Sequence, residues 1–416
     1  MGIDYHIFTL FPLGFTLFAF LMKKQLQKFL PLIVGVIVLV LLLGARAWRL
    51  SLMPADGRWP NVAGGTYATP VMKDGVNYFV PPDELYGNGM GKDGIPALNS
   101  PTYVTVAAAD DVLADEVEGI DVEVNGKHRF YSFQILNWHQ LVNDKFGDKE
   151  LLVSYSPLCG SAVVYDRVVE DGIARVFGDN GQVYNNCAVL YDDKSTALWG
   201  QASGALVAGH DHATSLARYP SVVMTWDAWK DAHPNGEVLS TETGFTRDYR
   251  RHPYGNYEKN TSLFFPVNKT DTRLAAKELV YDFIFGSTHV GATAKFLAFV
   301  KEPNYSEGEV DYVAFVDEEN AIRVFNRTVG EETLTFIREG NEIKDKETDS
   351  RWNTEGLSIK GKLKGEQLEE ILPTARYFAF AYVSQFPQAN ILGNELFDAA
   401  AAPSNEPEPI EINATE

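Results

Sequence analysis

Cysteine is nearly missing from this chain: its 416 residues contain two, Cys159 and Cys187. A disulfide-rich scaffold and a four-cysteine zinc site both need more sulfur than this. Any disulfide or thiol chemistry in the protein therefore involves these two positions.

Positive charge is also scarce. Lysine and arginine number 36 against 56 aspartates and glutamates, which gives a net charge of -20. Nucleic acids are held through clustered basic side chains, so the composition argues against nucleic acid as a partner. The hydrophobic share of 45% excludes a fully disordered chain, because a disordered chain has too little apolar surface to bury.

Several catalytic motifs are absent. The chain has no phosphate-binding glycine loop, no G-x-S-x-G elbow, no H-E-x-x-H pair and no protein-kinase motif set. Standard hydrolase and nucleotide-driven functions therefore lose their usual sequence support.

Two uncharged, apolar runs lie near the beginning of the chain, at residues 7–22 and 29–45, separated by the lysine-bearing segment 23–28. Each run is at the short end of the lengths that cross a bilayer. Residues 1–49 contain one acid and five bases and so carry +4, whereas the remaining 55 acids and 31 bases give -24. The two parts of the chain are suited to different environments.

These runs predict that residues 1–49 form a membrane anchor of one or two transmembrane helices, in contact with the lipid bilayer through residues 7–45. The positive-inside rule places the lysines in the cytoplasm and the body on the extracytoplasmic side of the cell membrane. A cleaved signal peptide is the rival interpretation. It has a single short apolar core and a small-residue cleavage site, whereas the second run continues into Arg46 and Arg49.

The sequence of the rest of the chain predicts a mainly β protein with a few helices. Residues 50–87 are rich in Gly and Pro and predict an irregular segment, and the acidic residues 399–416 predict a disordered tail. The best helical patterns are at 226–233 and 368–385. Short β-branched and aromatic runs predict strands at 122–124, 129–133, 151–155, 162–165, 312–316 and 323–325.

An internal repeat organises this body. Blocks at 129–133, 163–167, 192–199 and 232–239 return in the same order at 295–299, 323–327, 345–352 and 385–392. Arg167 then corresponds to Arg327, and Trp199 to Trp352. The order predicts two tandem homologous β-rich modules, at residues 88–255 and 277–395. His139, Cys159 and Cys187 all lie where the first copy differs from the second, so a site is expected in the first copy.

Five strings of the first copy resemble the bacterial and archaeal domain of unknown function (DUF) 3179 family: KDGIPALNSPTYV (92–104), ILNWHQLVND (135–144), YSPLCGSAVVYDR (155–167), YNNCAVLYDDKSTALWGQ (184–201) and TGFTRDYRRHPYGNY (243–257). The resemblance covers roughly residues 88–395. It implies an architecture and an extracytoplasmic setting, and no mechanism. One departure is Ser156, where the family usually has the first cysteine of a Cys-x-x-Cys motif.

Two interpretations of the cysteines are open: a disulfide and a reduced, functional thiol. Cys159 and Cys187 could form a disulfide, which an oxidising compartment would favour and which would contribute roughly 2–4 kcal/mol to stability. Alternatively, a reduced Cys159 beside His139 could bind a small ligand or a transition metal such as copper, or act as an activated thiol.

Weaker candidates are four side chains elsewhere in the first copy. His210 and His212 are spaced to share one side of a strand and could ligate a metal. Arg247 and His252 belong to the basic cluster RDYRRHPY, which indicates an ion-pair network or an anion site.

Three functional hypotheses follow. The first is a membrane-anchored binding or accessory protein with a small-ligand or metal site near His139 and Cys159. The second is a thiol-dependent or redox enzyme that uses Cys159. The third is a structural subunit of a membrane or envelope complex, which would have fixed membrane-complex partners.

Overall fold

The fold is known from a computed structural model, which describes residues 69–393 except 211, 287, 299, 301–302, 317–321, 341 and 388. The predicted anchor, residues 50–68 and the predicted tail lie outside the described residues. Those that are described belong to one compact unit, Pro60–Glu416. No helix within them is long and apolar enough to cross a membrane.

The described chain is mainly β, as its sequence predicts. The strands of its first half are β1 (Val71–Lys73), β2 (Val76–Tyr78), β3 (Tyr86–Gly87), β4 (Tyr103–Thr105), β5 (Glu118–Val124), β6 (Lys127–Ser132), β7 (Leu141–Phe146), β8 (Lys149–Ser156), β9 (Ser161–Asp166), β10 (Phe177–Tyr184), β11 (Cys187–Asp192), β12 (Leu198–Gly200), β13 (Leu206–Ala208), β14 (Val222–Thr225) and β15 (Glu237–Leu239).

The second half continues with β16 (Leu279–Phe285), β17 (Thr288–Ala292), β18 (Asn304–Glu307), β19 (Val310–Val316), β20 (Ile322–Asn326), β21 (Thr328–Val329), β22 (Glu332–Thr333), β23 (Phe336–Glu339), β24 (Glu342–Asp345), β25 (Arg351–Trp352), β26 (Ser358–Lys360), β27 (Glu370–Ile371), β28 (Ala375–Phe378) and β29 (Asn390–Ile391). The described helices are short: α1 (Val106–Asp110), α2 (Phe133–His139), α3 (Trp226–Ala232), α4 (Ala294–Leu297) and α5 (Ala379–Gln385).

One pattern of strand pairing occurs twice. In the first half, β14 pairs antiparallel with β5, β5 with β6, and β15 joins β6 in parallel; α3 connects β14 to β15. In the second half β28, β16, β17 and β29 have the same order and directions, and α5 connects β28 to β29. Each half also has a meander, β7-β8-β9 or β18-β19-β20, followed by a second meander, β10 to β13 or β23 to β26.

Two side-chain contacts recur with this pattern. Trp199 Nε1 donates to Asp192 Oδ2 at 3.0 Å, and Trp352 Nε1 donates to Asp345 Oδ2 at 2.9 Å. Asn143 bonds both backbone groups of Phe177, at the start of β10. Asn304 does the same with Phe336, at the start of β23.

The two halves share a sheet and a core. Strand β28 pairs with β9 at Arg376 and Ala162, which produces the seven-stranded order β29-β17-β16-β28-β9-β8-β7. Large buried side chains of this sheet, such as Tyr165 of β9 and Tyr377 of β28, belong to one apolar cluster. The halves are therefore packed as one body.

Three predicted elements differ from the structure. Residues 69–87, within the segment predicted as irregular, contain β1 to β3, which join the sheet of β10 to β13. The short strands β1 and β2 are joined by Asp74 and Gly75, both at positive φ, as a tight hairpin requires. Of the helix predicted over 368–385, only α5 is helical, because Pro373 prevents a helix through its own position.

The third difference bears on function. The strand predicted over 129–133 ends at Ser132, and Phe133 begins helix α2. His139 is therefore the last residue of a helix. A helix of seven residues makes only about two turns, too few for the spacing of its residues to reveal it in the sequence.

Candidate functional site

A cleft of about 490 Å³ lies beside the end of α2. All five strings that carry the family resemblance contribute to its wall: Gly94 and Ile95 from the first, Asn137, Trp138 and Gln140 from the second, Ser156 and Leu158 from the third, Ala188 from the fourth, and Arg247, Pro253 and Tyr254 from the fifth. Segments spread over 160 positions of sequence thus converge on one cavity.

Gln140 is strained where it leaves α2. Its φ of 58° and ψ of -33° are disfavoured for a residue with a Cβ atom, at a cost of about 1–3 kcal/mol. Three hydrogen bonds hold it there: its N–H donates to Leu136 O, its carbonyl accepts from Tyr155 N, and its side-chain Nε2 donates to Tyr254 Oη at 2.8 Å. The strained residue therefore fixes the cleft wall to the loop that carries Tyr254.

The opposite wall is a strand-free passage between β15 and β16. Trp138 Nε1 donates to the carbonyl of Arg251 at 3.1 Å, which holds the passage to α2. Its far end is held by the β10–β11 turn, where Asn186 exchanges two hydrogen bonds with the backbone of Phe265. Asn186 adopts a positive φ of 59°, which asparagine tolerates better than most residues.

The lining combines aromatic surface with a few polar groups. Trp138, Tyr254, Phe264 and Phe265 supply apolar area, and Arg247 is the charged side chain among the lining residues of the described chain. Asn137 Oδ1 is buried without a hydrogen-bond partner. A buried acceptor of this kind is unfavourable unless something donates to it. The wall thus offers an acceptor, a cation and stacking surface to an occupant.

The comparisons place the chain in a family. The family described as "Protein of unknown function (DUF3179)" matches residues 92–389. The chain belongs to this family. No curated protein and no solved structure matches it. The family assignment expected from the five strings is thereby confirmed.

In this DUF3179 chain, His139 is buried behind the cleft, and both its ring nitrogens are engaged. Nδ1 lies 2.8 Å from the carbonyl of Pro96 and so carries the proton, which leaves Nε2 to accept from the Tyr249 hydroxyl at 2.7 Å. Burial lowers the pKa of His139, and nearby Arg247 lowers it further against the opposing effect of the Pro96 carbonyl. The ring is neutral and orients Tyr249.

Cys159 and Cys187 are brought together. Both thiols are free, their residues are 0% and 3% exposed, and Cys187 donates a hydrogen bond to Cys159. Burial alone would raise the pKa of Cys159, but the hydrogen bonds from Cys187, Ser161 and Ser156 outweigh it and lower that pKa. Burial and the bond to Cys159 raise the pKa of Cys187 well above its ordinary value.

His139 and Cys159 do not share hydrogen-bond partners. The hydrogen bonds of His139 go to Pro96 and Tyr249, and those of Cys159 to Cys187, Ser161 and Ser156. A shared metal would require both sets to break. Ser156, which stands where the family usually has a cysteine, lies in the cleft wall and bonds Cys159 behind it.

The weaker candidates occupy two other places. The rings of His210 and His212 are 6.1 Å apart, and His212 Nε2 lies 3.4 Å from Glu170 on the rim of a separate cleft of about 370 Å³. Arg247 lines the first cleft, and His252 Nε2 lies 3.5 Å from Glu258 beside it.

Sequence reasoning missed Asn137, Gln140 and Tyr254. Gln140 and Asn137 flank the motif histidine, and Tyr254 lies within the string RDYRRHPYGNY. His and Cys are the usual ligand and nucleophile types, and these three residues are neither. Their membership of the same strings was a signal that could have identified them.

Proposed function

We propose that this protein is a membrane-anchored, extracytoplasmic binding protein whose first module holds a small ligand in the cleft beside α2. The observation that carries the proposal is the convergence of all five family strings on one cavity. Clefts of this size with an apolar lining and a few polar groups are where small molecules bind.

The lining indicates the ligand's chemistry. Aromatic walls favour a flat or apolar body, and Arg247 at the edge favours an anionic end. The unpaired Asn137 Oδ1 accepts a hydrogen bond, so the ligand also carries a donor. A small molecule with an apolar body, a donor and one negative charge meets all three conditions.

The sharpest test uses 1-anilinonaphthalene-8-sulfonate, which has an aromatic body, an N–H donor and one sulfonate. We expect one equivalent to bind the purified full-length chain, with energy transfer from Trp138 to the dye. Ala188→Leu, which fills the cleft, should abolish binding, and Arg247→Ala should weaken it about fivefold, since an exposed charged contact contributes on the order of 1 kcal/mol.

The matched control is Arg250→Ala, a neighbouring arginine that does not line the cleft. Equal dye binding by the wild type and the Ala188→Leu variant would show that the dye binds elsewhere and would overturn the cleft as the binding site. Mass spectrometry of the native protein would identify any molecule that copurifies.

The two-module organisation supports this proposal. The recurring strand order and the paired Trp–Asp and Asn–Phe contacts are what a duplicated module would have. The hairpin of β10 and β11, which carries Cys187, is longer than its second-half counterpart of β23 and β24, so we assign binding to the first copy. The anchor and the extracytoplasmic setting rest on the apolar runs and the charge distribution of residues 1–49.

A second candidate function is thiol redox chemistry, favoured by the hydrogen bond between Cys187 and Cys159. Because both thiols are buried, a substrate would have to reach them through the wall formed by Ser156 and Leu158. Modification of Cys159 by a small alkylating reagent in the folded protein, blocked by the bound dye, would support this function. Complete resistance to alkylation would count against it.

A further inference from the structure

Three potential ligand atoms meet in the first half of the chain, on elements other than those that carry the two cysteines. Asp121 lies on β5, His128 on β6, and His233 directly follows α3. His128 Nδ1 is 3.0 Å from Asp121 Oδ2, and His233 Nε2 is 4.0 Å from the same oxygen. One ligand atom from each residue lies within 4.8 Å of the other two. The trio is distinct from the cleft residues.

The carboxylate is held in a fixed orientation. Trp229 Nε1 donates to Asp121 Oδ1 at 2.6 Å, while the Asp121 side chain is almost buried. Oδ2 is thereby directed at the two imidazoles. Metal-binding carboxylates and histidines commonly have such a second hydrogen bond, which fixes the ligand and tunes its basicity.

The second half of the chain offers an internal comparison. By strand order β16 corresponds to β5 and β17 to β6, so the structure matches His128 to His289 and not, as the sequence blocks predict, residues 129–133 to 295–299. Asp282, His289 and Tyr382 occupy the corresponding places: His289 Nδ1 is 2.8 Å from Asp282 Oδ2, and the Tyr382 hydroxyl donates to Asp282 Oδ1 at 3.3 Å. Phe386 stands where the first half has His233, and it stacks on His289 as His233 stacks on His128.

The two carboxylates differ in what balances their charge. Asp282 of the second half pairs with Arg218, a first-half residue whose Nη1 lies 2.8 Å from Asp282 Oδ2 and supplies a fixed positive charge. Within the described chain, the ion-pair partners of Asp121 are His128 and His233. The surroundings of Asp282 thus have a phenylalanine and an arginine where those of Asp121 have a second imidazole. Exchanging a fixed cation for an additional nitrogen ligand is the change that a metal site requires.

We propose that Asp121, His128 and His233 form a site for a divalent transition cation of the zinc class. Two imidazoles and one carboxylate are a common protein ligand set for Zn²⁺. Tetrahedral Zn²⁺ separates its N and O ligands by roughly 3.3–3.5 Å. The separations of 3.0 and 4.0 Å from Asp121 Oδ2 bracket this value. The histidine side chains are 26% and 20% exposed, so solvent reaches the site and completes the coordination.

Binding requires one movement. The imidazole rings are stacked, with centroids 3.7 Å apart and an interplanar angle of 16°. Nitrogen lone pairs lie in the ring planes, so one of the partly exposed rings must turn out of the stack for both lone pairs to meet the ion. The proton on His128 Nδ1 leaves when the cation takes its place.

The test is metal titration of the full-length chain after treatment with a chelator. We expect one equivalent of Zn²⁺ to bind by calorimetry with proton release, and Co²⁺ to give the visible absorption of a tetrahedral site. His233→Phe, which copies the second half, should abolish this binding while keeping the aromatic stack. Trp229→Phe should weaken it by roughly 10- to 100-fold, since the indole acts on the carboxylate.

Controls separate this site from other histidines. His289→Ala removes the corresponding ring of the second half, and the double variant His210→Ala/His212→Ala removes the other described histidine pair; neither should change the stoichiometry. Should His233→Phe fail to fold by near-ultraviolet circular dichroism, His128→Gln replaces it. The proposal is overturned if the wild type binds no stoichiometric Zn²⁺, or if binding survives in a folded variant of His128 or His233.

Discussion

Burial favours the neutral form of both side chains that the sequence marks most clearly, and their hydrogen bonds make the outcomes differ. His139 is held neutral, because burial lowers its pKa and both ring nitrogens already have partners. Cys159 is equally buried, yet hydrogen bonds with Cys187, Ser161 and Ser156 lower its pKa. The same residue types could have formed one site, but each is surrounded by its own set of partners.

His139 should make the protein less stable in acid. Its folded pKa is below the ordinary 6.5, so below about pH 6.5 the unfolded chain takes up a proton that the folded chain does not. The free energy of unfolding therefore falls as the pH falls through that range, by at most about 1.4 kcal/mol per pH unit for one proton. Urea unfolding at several pH values should show a shallower dependence for His139→Gln.

The exposed His212 provides the control for this effect. His212→Gln should change the pH dependence much less, because its ring is largely in solvent and its pairing with Glu170 is screened. A His139→Gln variant with the wild-type pH slope would show that this imidazole takes up its proton at the same pH in the folded and unfolded states.

Oxidation should join the two cysteines. Their thiols are hydrogen-bonded in the folded protein, so a short movement closes the disulfide. We expect mild oxidant to remove both titratable thiols and to raise the free energy of unfolding by roughly 2–4 kcal/mol. Cys187→Ser should show no such redox dependence. Two titratable thiols in the denatured, oxidant-treated wild type would contradict the disulfide.

At the scale of elements, the end of α2 sets the shape of the cleft. Gln140 turns the chain at a positive φ directly after His139, and this turn brings Trp138 and Tyr254 to the same cavity. Helix α2, the strained Gln140 and strand β7 follow one another in the chain, and this order places residues 137–140 of the string ILNWHQLVND beside the cleft.

Gln140 offers a test of that strain. Glycine adopts this backbone without penalty, whereas alanine retains the strain and loses the bond to Tyr254. We expect Gln140→Gly to be more stable than Gln140→Ala by about 1–3 kcal/mol, the reverse of their usual order. Both variants should bind the dye more weakly. Equal stability of the two variants in urea would mean that the turn relaxes in solution.

The hydrogen bonds of Asn143 with Phe177 and of Asn304 with Phe336 provide a test of the proposed duplication. Asn143→Ala and Asn304→Ala each leave the N–H and carbonyl at the start of the next meander unpaired. Each substitution should cost about 1–3 kcal/mol. Asn143→Ala should lower the free energy of unfolding more than Asn304→Ala does, because Asn143 also donates to Asn99 Oδ1. A normal free energy of unfolding in one variant and not the other would show that the two sets of hydrogen bonds differ in role.

On the scale of the whole molecule, the halves are joined by more than one contact. Arg376 of β28 forms a two-pronged ion pair with Glu118 of β5, and the Tyr377 hydroxyl donates to the carbonyl of Ala202. Phe378 N donates to Cys159 O, which ties the second half to the cysteine pair. The site in the first half is therefore supported by the second.

These contacts predict cooperative unfolding. In urea, hydrogen exchange of peptides from 141–166 and from 279–292 should give the same midpoint, because the shared sheet and core couple the halves. Two separated midpoints would show that the halves are independent folding units. Arg376→Ala should lower both midpoints together.

Much of the fold could be predicted from local patterns. Short β-branched and aromatic runs identified β8, β9 and β19, and the WDAWKDAH pattern at 226–233 identified α3. The helix α2 could not be predicted this way, because its seven residues make only about two turns, too few to show a helical period. The strand β28 before α5 was missed because a continuous buried run does not distinguish helix from strand.

The sequence by itself determined the family, the mainly β class and the region that holds the candidate site, because these depend on local composition and on ordered motifs. The tertiary structure decided which of those residues meet. It placed Cys187 against Cys159, gave His139 a different set of hydrogen-bond partners, and brought Asp121, His128 and His233 together. Strand pairing between residues far apart in sequence sets such distances, and no local pattern records them.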